Sequence, residues 1–131
     1  NAGQIFITNS IQYEKDPITN PACDDMLGMV AENKVTVTKD ITRGDITIHS
    51  SIFSQKDGLV IEDYASYPSA YKMNLVGGII GQKVQPTAYY VSGIPKNGYS
   101  YVHKYDTRFT KVRPPFFPST KYYRVVSWYE E

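Results

Sequence analysis

An all-β fold, a short right-handed parallel β-solenoid closed by an aromatic, proline-rich C-terminal cap, is predicted by three observations. A small apolar pattern recurs along residues 1–98; eight prolines and nine glycines interrupt the chain too often for long helices; and the last third changes abruptly in composition. The division expected is a single domain, with coils over 1–98 and the cap over 99–131.

The pattern occurs as QIFITNSIQY at 4–13, DITIHSSIFS at 45–54 and KMNLVGGIIG at 72–81. In register, Ile5, Ile46 and Met73 share a slot, as do Ile7, Ile48 and Leu75, and Ile11, Ile52 and Ile79. Alternation puts the first two apolar side chains on one face of a strand. The three residues that follow, such as Thr8-Asn9-Ser10 or Val76-Gly77-Gly78, tolerate bent backbone, after which the chain points inward again. A looser fourth copy, MLGMVAENKVTVTKD at 26–40, places Val30, Val35 and Val37 around the turn-prone Glu32-Asn33-Lys34. One coil alone would expose its apolar face, whereas stacked coils align these residues into a continuous interior. Three β-branched stretches also fit neighbouring strands of a sandwich. The repeated exit Gln55-Lys56 and Gln82-Lys83 favours coils, because stacked coils share a polar exit and antiparallel strands do not.

With 131 residues, 41% of them hydrophobic and 21% charged, the chain has the composition of one globular domain, and its apolar runs are too short to cross a bilayer. The opening NAGQIFITNS lacks the features of a signal peptide and reads as a strand entered part-way, so an upstream segment is expected. Net charge is +1, but residues 1–98 carry eight Lys/Arg against ten Asp/Glu and residues 99–131 carry six against three. Cys23, the single cysteine, excludes an internal disulfide and a multi-cysteine zinc site.

Ten of the eighteen aromatic residues follow Gly98. There Tyr99 and Tyr101 alternate as in a strand, Pro114-Pro115 and Pro118 force extended backbone, and Tyr122 to Trp128 reads as a closing strand. An open solenoid end leaves unpaired backbone groups above a bare core, and bulky aromatics would cover it. Asp106, Arg108, Pro114, Pro115, Phe117 and Trp128 are the structural cap residues; Asp106 and Arg108, on one strand face at i, i+2, would clamp the proline loop. Lys104, Tyr105, Arg113, Phe116, Tyr122 and Tyr123 mix cations with rings and are the candidate ligand-binding residues, suited to a nucleic-acid strand or to sugar rings.

Four landmarks, LGMVAENKVTV at 27–37, DITIHSSIFSQKDG at 45–58, MNLVGGIIGQKVQ at 73–85 and YDTRF…PPFFPSTKYYRVVSWYE at 105–130, resemble the C-terminal region of bacterial envelope proteins with a PilX-like, type IV prepilin-type N-terminal helix and a β-helical region. In that family the glycine-initiated coil usually ends Gly-Ser-Ile-Ile-Gln-Lys, whereas this chain has Gly77-Gly78-Ile79-Ile80-Gly81-Gln82-Lys83. The resemblance implies a non-enzymatic, structural or adhesive module of a pilus-like or cell-surface assembly, outside the cytoplasm. Its partners would be its own upstream coils or other filament subunits. No catalytic residue, metal ligand or cofactor comes with it, and no membrane contact by this segment.

Two other functions are weighed: a glycan- or DNA-binding tip built on the basic aromatic tail, and a polysaccharide-active β-helix enzyme. The latter needs converging carboxylates, yet Asp24, Asp25, Asp40, Asp45, Asp57, Glu62 and Asp63 fall at turns, where Asp is ordinary. Arg43-Gly44-Asp45 spells an attachment tripeptide but reads better as a turn-to-strand junction. His49 stands beside Ser50 and Ser51 without an acid placed by sequence to orient it.

Overall fold

A computed structural model describes residues 3–39, 44–115 and 117. Ten strands form: β1 (Gln4–Ile7), β2 (Gly28–Ala31), β3 (Lys34–Val37), β4 (Ile46–His49), β5 (Ser51–Ser54), β6 (Gly58–Ile61), β7 (Ala70–Val76), β8 (Ile79–Gly81), β9 (Ala88–Val91) and β10 (Ile94–Lys104), with short 3-10 turns at Tyr64–Ser66 and Thr107–Thr110. They build a β-solenoid of about four turns with three parallel faces. Sheet A is ordered β1-β3-β6, sheet B β4-β7-β10-β9, and sheet C β2-β5-β8. Successive strands visit C, A and B in turn, so each coil is a triangle. Among the described residues no helix is long and apolar enough to cross a membrane.

The interior is made of side-chain columns that run through the rungs. Sheet A stacks Ile5 on Val35 on Leu59, and Ile7 on Val37 on Ile61. Sheet B stacks Ile46 on Met73 and Ile48 on Leu75, and sheet C stacks Met29 on Ile52 on Ile79. Val35, Val37, Ile48, Ile52, Met73 and Leu75 have no exposed surface. Full burial of each such side chain contributes about 1.5–3 kcal/mol, so the parallel register is the main source of stability.

Two expectations are corrected. Ile5 and Ile7 face the same core as Ile46 and Ile48 but stand in sheet A, not above them in sheet B. Ile11 bridges to Ile48 rather than occupying the slot of Ile52. The physical reason is that apolar, x, apolar, bend, apolar describes any corner of a three-sided coil. The first copy turns from A to B, the second and third turn from B to C, and the copy at 26–40 turns from C to A.

The second correction moves the boundary of the cap. Tyr99–Lys104 are the last rung of sheet B, pairing in parallel with Tyr71–Val76. Tyr99 is fully buried between Tyr67 and Tyr71, with ring centroids 5.7 and 6.0 Å away, and its hydroxyl donates to the Gly44 carbonyl at 3.1 Å. Burial pushes that phenol up to about 12. The terminal segment therefore leaves the coils at Tyr105.

The corners are backbone-limited. At Gly77, where φ is +141°, an added Cβ would lie 2.0 Å from the Ser50 carbonyl oxygen of the previous coil. The repeated Gln-Lys exits do stack, with the Lys83 amide donating to the Lys56 carbonyl at 3.2 Å.

Candidate functional site

Beyond β10 the described chain runs back along the flank of the coils. Asp106 caps the 3-10 turn by accepting from the Arg108 amide at 3.1 Å. The Arg108 guanidinium grips the same carboxylate, Nε to Oδ1 at 3.0 Å and Nη2 to Oδ2 at 2.7 Å, while Nη1 donates to the Cys23 carbonyl at 3.0 Å. It also sits over the Tyr13 ring, 5.6 Å from the centroid. The bond to buried Asp106 raises the guanidinium above its ordinary range and keeps it charged.

The pair thus joins the end of the solenoid to the loop that precedes its first sheet-C rung. Two differences from the sequence expectation stand out: the two residues lie at a 3-10 turn rather than along one strand, and the fork reaches the 13–27 loop rather than the proline segment. Pro114 is buried, and with Phe117 it approaches Gly28 so closely that an added Cβ there would lie 2.9 and 2.7 Å from them. Phe117 meets the outward ring of Phe53 edge-on, with centroids 6.2 Å apart. Pro115 is exposed. Phe116, Tyr122, Tyr123 and Trp128 lie outside the described residues.

The candidate ligand-binding set is divided between two faces. Tyr105 and Arg113 line a cleft of about 390 Å³ with Phe109, Phe117, His103 and Ile80. Lys104 points instead to the outer face of sheet B, where it borders a second cleft.

At the C-terminal end of the coils, the core-facing slots of the last rung are filled by Tyr101 and His103, which stand opposite Met73 and Leu75. They rim a hollow of about 380 Å³ floored by Leu59 and Ile79. His103 Nε2 is 2.9 Å from the Gly77 carbonyl, and burial pushes the Tyr101 phenol up to about 12.

At the start of β10, β9 and β10 form a hairpin that the repeat pattern does not announce. Ile94 faces Val91 across Ser92-Gly93, both at positive φ, the geometry of a two-residue turn. Tyr89, Tyr90, Val91 and Ile94 are each between 44% and 58% exposed, a cluster of apolar surface on an edge strand. The Ser-Gly dipeptide between AYYV and IPKNGYSYV is the signal that would have found it.

Several of the remaining sequence candidates have structural partners, and Asp40 lies outside the described residues. Asp45 accepts from the Lys72 amide of the next coil at 2.8 Å, as a turn-to-strand junction does, and Arg43 lies outside the described residues. Ser50 Oγ donates to backbone carbonyls of Leu27 and Ser51, and His49 Nδ1 accepts from the Tyr13 amide at 3.0 Å. Asp57 and Asp63 pair with Lys83 and Lys39 at separate corners. Among the described residues no three His, Cys, Asp or Glu side chains gather to hold a metal ion.

No family model matches the chain, and no curated protein or solved structure matches it.

Proposed function

We propose that this chain is a non-enzymatic structural or adhesive module of a bacterial cell-surface or pilus-like assembly. The observation that carries this reading is the β9–β10 hairpin, which holds Tyr89, Tyr90, Val91 and Ile94 about half-exposed at the edge of the β-scaffold. Preorganised aromatic and aliphatic groups of this kind form contacts without an ordering cost. The resemblance of the four sequence landmarks to PilX-like envelope proteins supports the setting, and the partner is another subunit of the filament or an upstream coil of the same protein.

The test is antibody labelling of intact cells, combined with shearing that strips surface filaments. The protein is expected at the cell surface and in the sheared fraction. A Tyr89→Ser/Tyr90→Ser/Ile94→Ser variant is expected to keep its far-UV spectrum but to leave that fraction. Recovery of the wild-type protein in the cytoplasm alone overturns the proposal.

A second reading is favoured by one observation, the half-exposed ring of Tyr105 and the Arg113 side chain lining the same cleft. A ring and a guanidinium in one cleft suit a glycan- or DNA-binding tip. Titration with labelled single-stranded DNA at low and moderate salt, together with a glycan array, checks it; Arg113→Ala is expected to weaken whichever ligand binds.

A further inference from the structure

The outer face of sheet B carries a cleft of about 200 Å³ whose lining, among the described residues, includes neither the hairpin turn nor the segment from Tyr105 onward. Its floor comes from two ladders of outward side chains: Thr47, Asn74 and Val102 in one, His49, Val76 and Lys104 in the other. Its wall is the loop that carries Asp16, Ile18 and Thr19. That wall is preordered. Asp16 Oδ1 accepts from the Ile18 amide at 2.8 Å, the Asn20 amide donates to the Asp16 carbonyl at 2.9 Å, and Arg108 holds the far end of the loop at Cys23.

His49 gives the cleft its polarity. A backbone N–H can only donate, so the 3.0 Å bond from Tyr13 fixes Nδ1 as the acceptor and leaves the proton on Nε2. The residue is 5% exposed, and its imidazole borders the cleft. An imidazole N–H bordering a cleft can donate to a ligand oxygen there.

We infer that this cleft binds one pyranose ring of a glycan. The groups present match the chemistry of a sugar. Asp16 retains a carboxylate oxygen to accept from hydroxyls, the Asn74 amide both donates and accepts, His49 Nε2–H and the Lys104 ammonium donate, and Val76 and Val102 supply apolar surface for the C–H face of the ring. The volume lies below the range of pockets for larger ligands, roughly 300–1,000 Å³, and matches a single ring rather than a nucleotide. The site is on a different face from Tyr105 and Arg113, and its existence does not depend on the hairpin proposal.

The test is an NMR titration of the intact protein with the methyl glycosides of mannose, galactose and glucuronic acid, following the His49 imidazole resonances. At least one glycoside is expected to shift them saturably. Asn74→Val and Asp16→Asn, the latter keeping the Asx turn, are each expected to weaken that glycoside roughly tenfold, the loss of one hydrogen bond, without altering the far-UV spectrum. Arg113→Ala is expected to leave it unchanged. Failure of all three glycosides to move the His49 signals overturns the inference. So does binding that survives both cleft variants, or a response to a trinucleotide and to no sugar.

Discussion

Rung meets rung in the coils through Ile5, Val35 and Leu59, or Met29, Ile52 and Ile79, like side chains aligned by parallel register. On the flank, the last coil meets the loop before β2 through one buried carboxylate, one guanidinium and a backbone carbonyl. The coil contacts are non-directional and repeat, so each tolerates a change of apolar residue; what they do not tolerate is extra backbone bulk at a corner. The flank contact is directional and occurs once, so its two charged partners depend on each other. Register therefore fixes the solenoid, while the flanking segment is oriented by a few polar bonds together with the packing of Pro114 and Phe117.

The largest expected effect tests the corners. Gly77→Ala is predicted to cost about 4 kcal/mol or more, because the new methyl would overlap the Ser50 carbonyl of the adjoining coil and the positive φ is itself strained. Gly93→Ala gives the comparison: that glycine also has positive φ, +78°, but an added Cβ would meet nothing within 4 Å. Its cost should be about 1 kcal/mol, from backbone strain alone. Urea unfolding of both variants measures the difference, and equal losses would mean that the coils are not in contact at this corner.

Next in size is the clamp. Arg108→Met leaves the Asp106 carboxylate buried without its counter-charge and is predicted to cost about 3 kcal/mol. Asp106→Asn/Arg108→Met removes both charges, keeps an acceptor for the residue 108 amide, and should lose less than the single variant. That ordering distinguishes a coupled pair from two independent surface charges, for which losses would add. Thermal or urea unfolding of the three proteins checks it.

The same contrast explains what could be read from sequence. Apolar spacing revealed parallel coils and the correct pairing of Ile46, Ile48 and Ile52 with Met73, Leu75 and Ile79, since those contacts repeat. It misplaced Ile5 and Ile7 because every corner of a triangular coil obeys one pattern, and side-chain spacing carries no mark of which corner is being turned. Asp106 and Arg108 could be picked out as a charged pair two residues apart. Their partners could not: Cys23 and Tyr13 lie more than eighty residues upstream and contribute a carbonyl and a ring face, neither of which leaves a motif. The sheet-B cleft was invisible for a similar reason. Thr47, Asn74 and Val102 become neighbours only through coil register, and Asp16 joins them only through the loop that Arg108 holds.

The smallest expected effect probes how firmly that loop is seated. Burial holds the His49 imidazole below its ordinary range, against the pull of Asp16 and Asp106 and with a lesser push from Arg108. In the unfolded chain the same group titrates near 6.5, so on acidification the unfolded state takes up its proton first. The contribution of neutral His49 to stability is complete above that value and declines as the pH falls through the lower native one. The structural event is local: a protonated Nδ1 would present N–H to the Tyr13 N–H and break the bond between loop and sheet. Urea midpoints of the wild type should therefore drop between about pH 7.5 and about pH 5 more than those of His49→Gln, whose amide oxygen can accept from Tyr13 without titrating. Parallel slopes for the two proteins would show that the loop is seated by Arg108 and the other non-titrating bonds, and that the imidazole is a passenger in the floor of the cleft.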